Sequence, residues 1–128
     1  MAAKRVLLGS LMLTATVCFL HAAARAEASP GEAVFRSRCA NCHSLTGGLS
    51  TIAPDLTGIV GRKVAAVKDY QYSAALRSAD FTWTPEKLDQ WLRSPHGVAL
   101  ETEMAFTGLA SEKDRRDVIE FLKQHFAK

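Results

Sequence analysis

Apolar residues recur at helical spacing in several stretches of this chain, and nowhere do Val, Ile and Thr-rich runs alternate as sheet strands would. The clearest stripe is Val118, Ile119, Phe121, Leu122, His125 and Phe126, with members at i, i+3, i+4, i+7 and i+8. Ser111 precedes it with Asp114 three residues on, which resembles a capping box, and the spacing predicts a terminal helix with His125 in its last turn. A second helix starts at Thr84-Pro85-Glu86, carries Leu88, Trp91 and Leu92 on one face, and is stopped by Pro95. Ser29-Pro30-Gly31 reads as a cap followed by proline at the first helical position, predicting helix from about Gly31 to Ala40 with Ala33 and Phe35 in it. Ser73 to Ser78 makes one or two further turns. Between these, Ser44 to Gln71 carries Gly47, Gly48, Pro54, Gly58 and Gly61, so it is loop with at most a short helical turn. The expected fold is all-α, three to five helices with long loops. Loops of that length in a small domain need something other than protein to organise them.

The first 26 residues stand apart. Lys4 and Arg5 precede Val6 to Ala24, which carries next to no charge, and Ala24-Arg25-Ala26 supplies small residues for cleavage after Ala26. The alternative is a membrane anchor. The strongly apolar run is nearer fifteen residues than the roughly twenty that span a bilayer, and Thr14, Thr16 and His21 dilute it. Ala15-Thr16-Val17 ahead of Cys18 makes a poor lipid-attachment site. Residues 1–26 are therefore expected to be a cleaved secretory signal, residues 27–128 the mature domain, and the location periplasmic, with no membrane insertion after cleavage.

The whole chain has 128 residues, 48% hydrophobic and 23% charged, which is ordinary globular composition for one domain. Losing Lys4, Arg5 and Arg25 takes 16 basic residues to 13, against 13 acidic ones. The mature protein is then formally neutral, without the basic excess or stripe of a nucleic-acid binder. A domain of this size buries only about two-thirds of its unfolded surface, so a cofactor would strengthen its core.

Cys39-Ala40-Asn41-Cys42-His43 is the pattern of covalent c-type haem attachment. Two thiols about one helical turn apart can each add to a haem vinyl group, and the adjacent His43 then lies under the iron as proximal ligand. Other chemistries use the same residues less well. A thioredoxin-like pair needs a βαβ context that is absent, and a zinc site needs four ligands, whereas His96 and His125 are far apart in sequence. A plain disulfide explains neither the histidine nor the loops.

Met104 is the one thioether after residue 26, in a loop-like stretch from Gly97 to Gly108 that lacks core periodicity, and it is the candidate for the second axial position. A core methionine is the structural alternative. His96 and His125, both near helix ends, are the rival ligands. Histidine and methionine together fill both axial positions, which suits one-electron transfer better than substrate binding.

In order and spacing these residues resemble class I cytochrome c over essentially the whole mature chain. The resemblance rests on Gly31 and Phe35 before the Cys39 to His43 motif, Ala53-Pro54-Asp55-Leu56-Thr57-Gly58, Gly61-Arg62-Lys63, Tyr70-Gln71-Tyr72-Ser73, Trp83-Thr84-Pro85-Glu86, Trp91-Leu92 with Pro95, Met104-Ala105-Phe106-Thr107-Gly108, and Asp117 to Leu122. It implies one covalently bound haem c with iron, with His43 and Met104 as metal ligands. It also implies that the Pro54 carbonyl accepts the His43 ring N–H, and that Arg62, Tyr72 and Trp83 donate to a buried haem propionate. Gly31 and Phe35 would meet Val118 and Phe121 where the first and last helices cross, and Trp91 would pack beside the Met104 sulfur. Simple turn rigidity at Pro54 and ordinary packing of Tyr72 are the structural alternatives.

Where the family often has Pro-Gly-Thr-Lys-Met, this chain has Leu100-Glu101-Thr102-Glu103-Met104. Thr102 and Met104 survive, and both belong to the cofactor-binding set. Losing the stiffening Pro and Gly is expected to weaken the iron–sulfur bond. Glu101 and Glu103 also replace positive charge near the ligand, leaving Lys63, Lys68, Arg77, Lys87 and Arg93 to steer partners. The expected function is a periplasmic one-electron carrier between membrane or periplasmic oxidoreductases, monomeric or a subunit of an electron-transfer complex, rather than an enzyme. The alternative is a haem enzyme or a cytochrome binding peroxide or gases, in which Met104 leaves the iron; no distal acid–base pair is evident for it.

Overall fold

Serine and threonine caps set where the helices begin. Ser29 Oγ accepts from the amide of Glu32 at 3.1 Å, with Pro30 where its missing N–H is not needed, and α1 runs Pro30–Arg38. Ser73 caps the short α2, Ala74–Ser78. Thr84 Oγ1 accepts from Lys87 at 3.1 Å to open α3, Pro85–Arg93. Ser94 Oγ accepts from Gly97 at 3.2 Å and starts α4, Pro95–Val98, and Ser111 Oγ accepts from Asp114 at 3.2 Å at the head of α5, Glu112–Lys123. The computed structural model describes residues 27–48 and 52–125. The expected signal segment, 1–26, and Phe126 lie outside them.

The all-α expectation holds, with five helices among the described residues and one isolated bridge between Lys63 and Thr82. Three local differences have simple causes. The first helix ends at Arg38, not Ala40, because the chain turns into the Cys39 to His43 segment. Pro95 both stops α3 and opens α4, since Ser94-Pro95 repeats the signature of Ser29-Pro30. His125 sits just past the end of α5, not in its last turn.

α1 crosses α5 at Gly31. A Cβ there would run into the Asp117 carbonyl oxygen and lie 2.7 Å from Phe121 Cβ, so only glycine allows the approach. Phe35 and Phe121 stack tilted beside it with ring centroids 5.6 Å apart, and Val118 is fully buried (0% exposed). The first and last helices thus meet at the residues that the family resemblance implies.

α3 is tied to α5 and to the connecting loop by Arg115, which is 3% exposed. Its Nε donates to Asp89 Oδ1 at 2.7 Å, and Nη1 donates to the carbonyls of Leu109 at 2.8 Å and Ala110 at 2.9 Å. The same loop is anchored by Leu109 N to Leu92 O at 2.7 Å, and Gly108, at φ +105°, passes so close to the Arg93 carbonyl that no side chain fits. Ile59, Val64, Trp83, Leu88, Trp91, Leu92, Leu109 and the α1–α5 contact form one core. Around it lie half-buried apolar side chains from the long loops, among them Leu45, Leu56, Val60, Met104 and Phe106, and Leu76 from α2.

Candidate haem site

Cys39 closes α1: its amide donates to the Phe35 carbonyl at 2.8 Å. The next turn follows at once, with Cys42 N to Cys39 O at 3.1 Å and His43 N to Cys39 O at 2.9 Å. Cys39 is half-buried and Cys42 exposed, and both carry free thiols, unlike a disulfide. Burial pushes the Cys39 thiol up to about 11, with Arg38 opposing and Cys42 adding to the rise, so before any attachment this sulfur is a protonated thiol at neutral pH.

His43 is half-buried, with Nδ1 2.8 Å from the Pro54 carbonyl oxygen. A carbonyl only accepts, so Nδ1 carries the proton and the Nε2 lone pair is left for a metal. Burial lowers the imidazole pKa, with the Pro54 bond and the Asp55 charge opposing, so the ring is neutral at pH 7. This is the protonation state a metal-binding imidazole needs.

The loop that offers Pro54 is fastened from two sides. Leu56 N donates to Ser44 O at 2.9 Å, and the Asp55 carboxylate, 6% exposed, bridges the same two segments. Its Oδ2 accepts from Ser44 Oγ at 2.6 Å and from the amides of Thr46 at 3.1 Å and Gly47 at 3.0 Å. Oδ1 accepts from Thr57 N at 2.7 Å. Burial favours the neutral acid, but the bonds from Ser44, Thr57 and Gly47 prevail and hold Asp55 below the usual carboxylate range. The sequence reading missed this residue's role. Its one local signal is an Asx turn onto Thr57.

Arg62 grips the same segment, Nη1 donating to Thr57 O at 2.9 Å and Nη2 to Asp55 O at 2.8 Å. Burial lowers its pKa, with Tyr72 and Asp55 opposing, so a further anion nearby would favour its charged form. Tyr72 is close enough to Arg62 to feel that charge, and its hydroxyl accepts from Val67 N at 3.3 Å. Trp83 N donates to Arg62 O at 2.9 Å, and the Trp83 ring packs edge-on against Trp91 at 5.2 Å. The three residues expected to donate to a propionate are therefore neighbours.

Met104 is half-buried against the core, at the end of a run in which Leu100 is 85% exposed and Thr102 buried. Thr102 N donates to Ala99 O at 3.0 Å, and Thr102 Oγ1 accepts from Met104 N at 3.3 Å. Phe106 N then donates to Met104 O at 2.8 Å. Thr102 and the close approach of Gly108 to Arg93 restrain this segment before and after Met104. The rival ligands stand on other elements, His96 in α4 and His125 just past the end of α5. His125 Nδ1 lies 2.8 Å from Phe121 O with its ring 4.3 Å from that of Phe121, and His96 is exposed.

Several of the expected steering cations already have partners. Lys63 pairs with Asp80, Arg93 with Asp89, Arg77 donates to the Tyr72 carbonyl, and Lys87 lies over the Phe81 ring.

The donor set fits a haem: two free thiols one turn apart, an adjacent neutral imidazole with Nε2 open, and a half-buried thioether on a separate loop. Among the described residues, no three His, Cys, Asp or Glu side chains gather as a metal site of another kind.

The sequence profile of the cytochrome c family matches residues 28–126. The chain belongs to the cytochrome c family. Among curated relatives, it is 39% identical to cytochrome c of Cochliobolus lunatus over 99 residues, covering 77% of this chain and 92% of that protein. It is 40% identical to cytochrome c of Tetrahymena pyriformis over 97 residues, covering 76% and 87%. It is 38% identical to the c-type cytochrome cy of Rhodobacter capsulatus over 96 residues, covering 75% of this chain and 48% of that longer protein. As a cytochrome c, the protein carries one covalently bound haem c and acts as an electron carrier, and Cys39 and Cys42 fit the attachment motif.

Proposed function

We propose that this cytochrome c is an exported, periplasmic one-electron carrier whose haem is tethered through Cys39 and Cys42 and ligated by His43 Nε2 and Met104 Sδ. When bound, the haem supplies the iron(III)/iron(II) couple. The hydrogen bond from His43 Nδ1 to Pro54 O, 2.8 Å long, carries this reading: it selects the tautomer that frees Nε2, fixes the ring and raises its basicity. Thr102 and the Phe106 amide hold the backbone on either side of Met104. Arg62, Tyr72 and Trp83 would hold a propionate, offsetting the cost of hiding its charge.

Export is supported by the charge, length and small-residue pattern of residues 1–26. No described helix is long and apolar enough to cross a membrane. A carrier must release each partner after every electron, so we take the partner contact to be small and fast-exchanging.

The exposed Leu100 and the missing Pro and Gly favour one second reading, in which Met104 leaves the iron and opens a site for a gas or peroxide. Mixing the reduced protein with carbon monoxide separates the two. A carrier with both axial positions filled takes it up slowly or not at all, whereas rapid uptake supports the second reading.

A further inference from the structure

We propose that Asp55 is a positioning residue for the proximal imidazole: its buried carboxylate locks residues 44–47 to residues 54–57, holding the Pro54 carbonyl on His43, and places a negative charge beside that ring. The inference rests on His43 being an iron ligand.

The geometry is specific to a carboxylate. Both oxygens are used, Oδ2 by Ser44 Oγ and the amides of Thr46 and Gly47, Oδ1 by Thr57 N. Ser44 directly follows His43, and Asp55 directly follows Pro54, so the lock closes one residue beyond the His43–Pro54 bond on each strand of chain. Arg62 closes the outer side through the carbonyls of Asp55 and Thr57. A neutral amide of the same shape has one acceptor oxygen instead of two and would present N–H groups to donors. An anion in this place favours the more positively charged, oxidised state of a nearby metal, and a firmly held Pro54 carbonyl does the same by making the imidazole a stronger donor.

A purely structural Asp55 would affect folding alone. A positioning Asp55 also sets the reduction equilibrium. Asp55→Asn is measured in the haem-loaded protein by redox titration alongside its absorption spectrum. The expected result is an unchanged spectrum with the equilibrium shifted toward the reduced form by about tenfold, which is about 59 mV upward for one electron. In case Asp55→Asn yields no haem-bearing protein, Ser44→Ala removes the shortest bond to the carboxylate, together with the bonds of the Ser44 hydroxyl to Thr46, and leaves the amides of Thr46, Gly47 and Thr57 on Asp55. Exchange of the His43 Nδ1 proton, followed by NMR, should then quicken by about tenfold as the Pro54 loop loosens. An intact spectrum with an unshifted potential in Asp55→Asn overturns the proposal, and so does unchanged Nδ1 exchange in Ser44→Ala. Failure of the underlying ligand assignment shows separately, as the lack of a histidine-ligated low-spin spectrum in the unsubstituted protein.

Discussion

Arg115 Nε lies 2.7 Å from Asp89 Oδ1, joining α5 to α3 through a guanidinium that is almost wholly buried. Its Nη1 donates to the carbonyls of Leu109 and Ala110 in the loop that leads away from Met104, so one side chain ties two helices to the candidate ligand loop. Arg115→Ala leaves the Leu109 and Ala110 carbonyls without that donor and should destabilise the protein by about 2–4 kcal/mol. Chemical denaturation measures this. A loss under about 1 kcal/mol would mean that water replaces the guanidinium.

The close approach of Gly31 to Asp117 and Phe121 makes its own prediction. Gly31→Ala should force α1 away from α5 and cost about 1–3 kcal/mol, although alanine is the better helix former. Thermal unfolding of the haem-bearing variant checks it. A gain in stability would show that the helices separate without penalty.

Acid stability should depend on Asp55. Its carboxyl is held below the ordinary 3.8 in the folded protein, so the stabilisation it gives is complete above that value. It is lost as pH falls through the lower, folded value. Stability of the wild-type protein should therefore drop on acidification below about pH 4, and Asp55→Asn should show a smaller drop over the same range. Denaturant midpoints measured across that range test it, and identical pH slopes for the two proteins would reject it.

Charge near Met104 should govern encounter with small redox reagents. Glu103→Lys replaces an exposed anion by a cation, and at low ionic strength it should speed reduction by an anionic inorganic complex by about threefold. The effect should fade as salt screens it. Stopped-flow rates with one anionic and one cationic reagent provide the check, and equal rates before and after substitution would place the electron's entry elsewhere.

Much of the fold was legible because it is locally encoded. Ser29-Pro30, Thr84-Pro85 and Ser111 carry their cap chemistry within three residues, and α1, α3 and α5 begin where those signals stand. α4 carried the same signal at Ser94-Pro95, hidden because the proline was also the stop of α3. The attachment motif was legible for the same local reason. Asp55 and Arg115 were not: a charged side chain reads as surface until tertiary structure buries it among several donors or acceptors. The Pro54 carbonyl has no side-chain signature at all, so its pairing with His43 was reachable only through family resemblance and is visible only in the fold.

The ligand assignment is tested most directly by the oxidised absorption spectrum of the mature protein beside that of Met104→Ala. The unsubstituted protein should show a thioether-to-iron(III) charge-transfer band at the red end of the visible range, and Met104→Ala should lose it. A spectrum that Met104→Ala leaves unchanged would contradict His43 and Met104 as the axial pair.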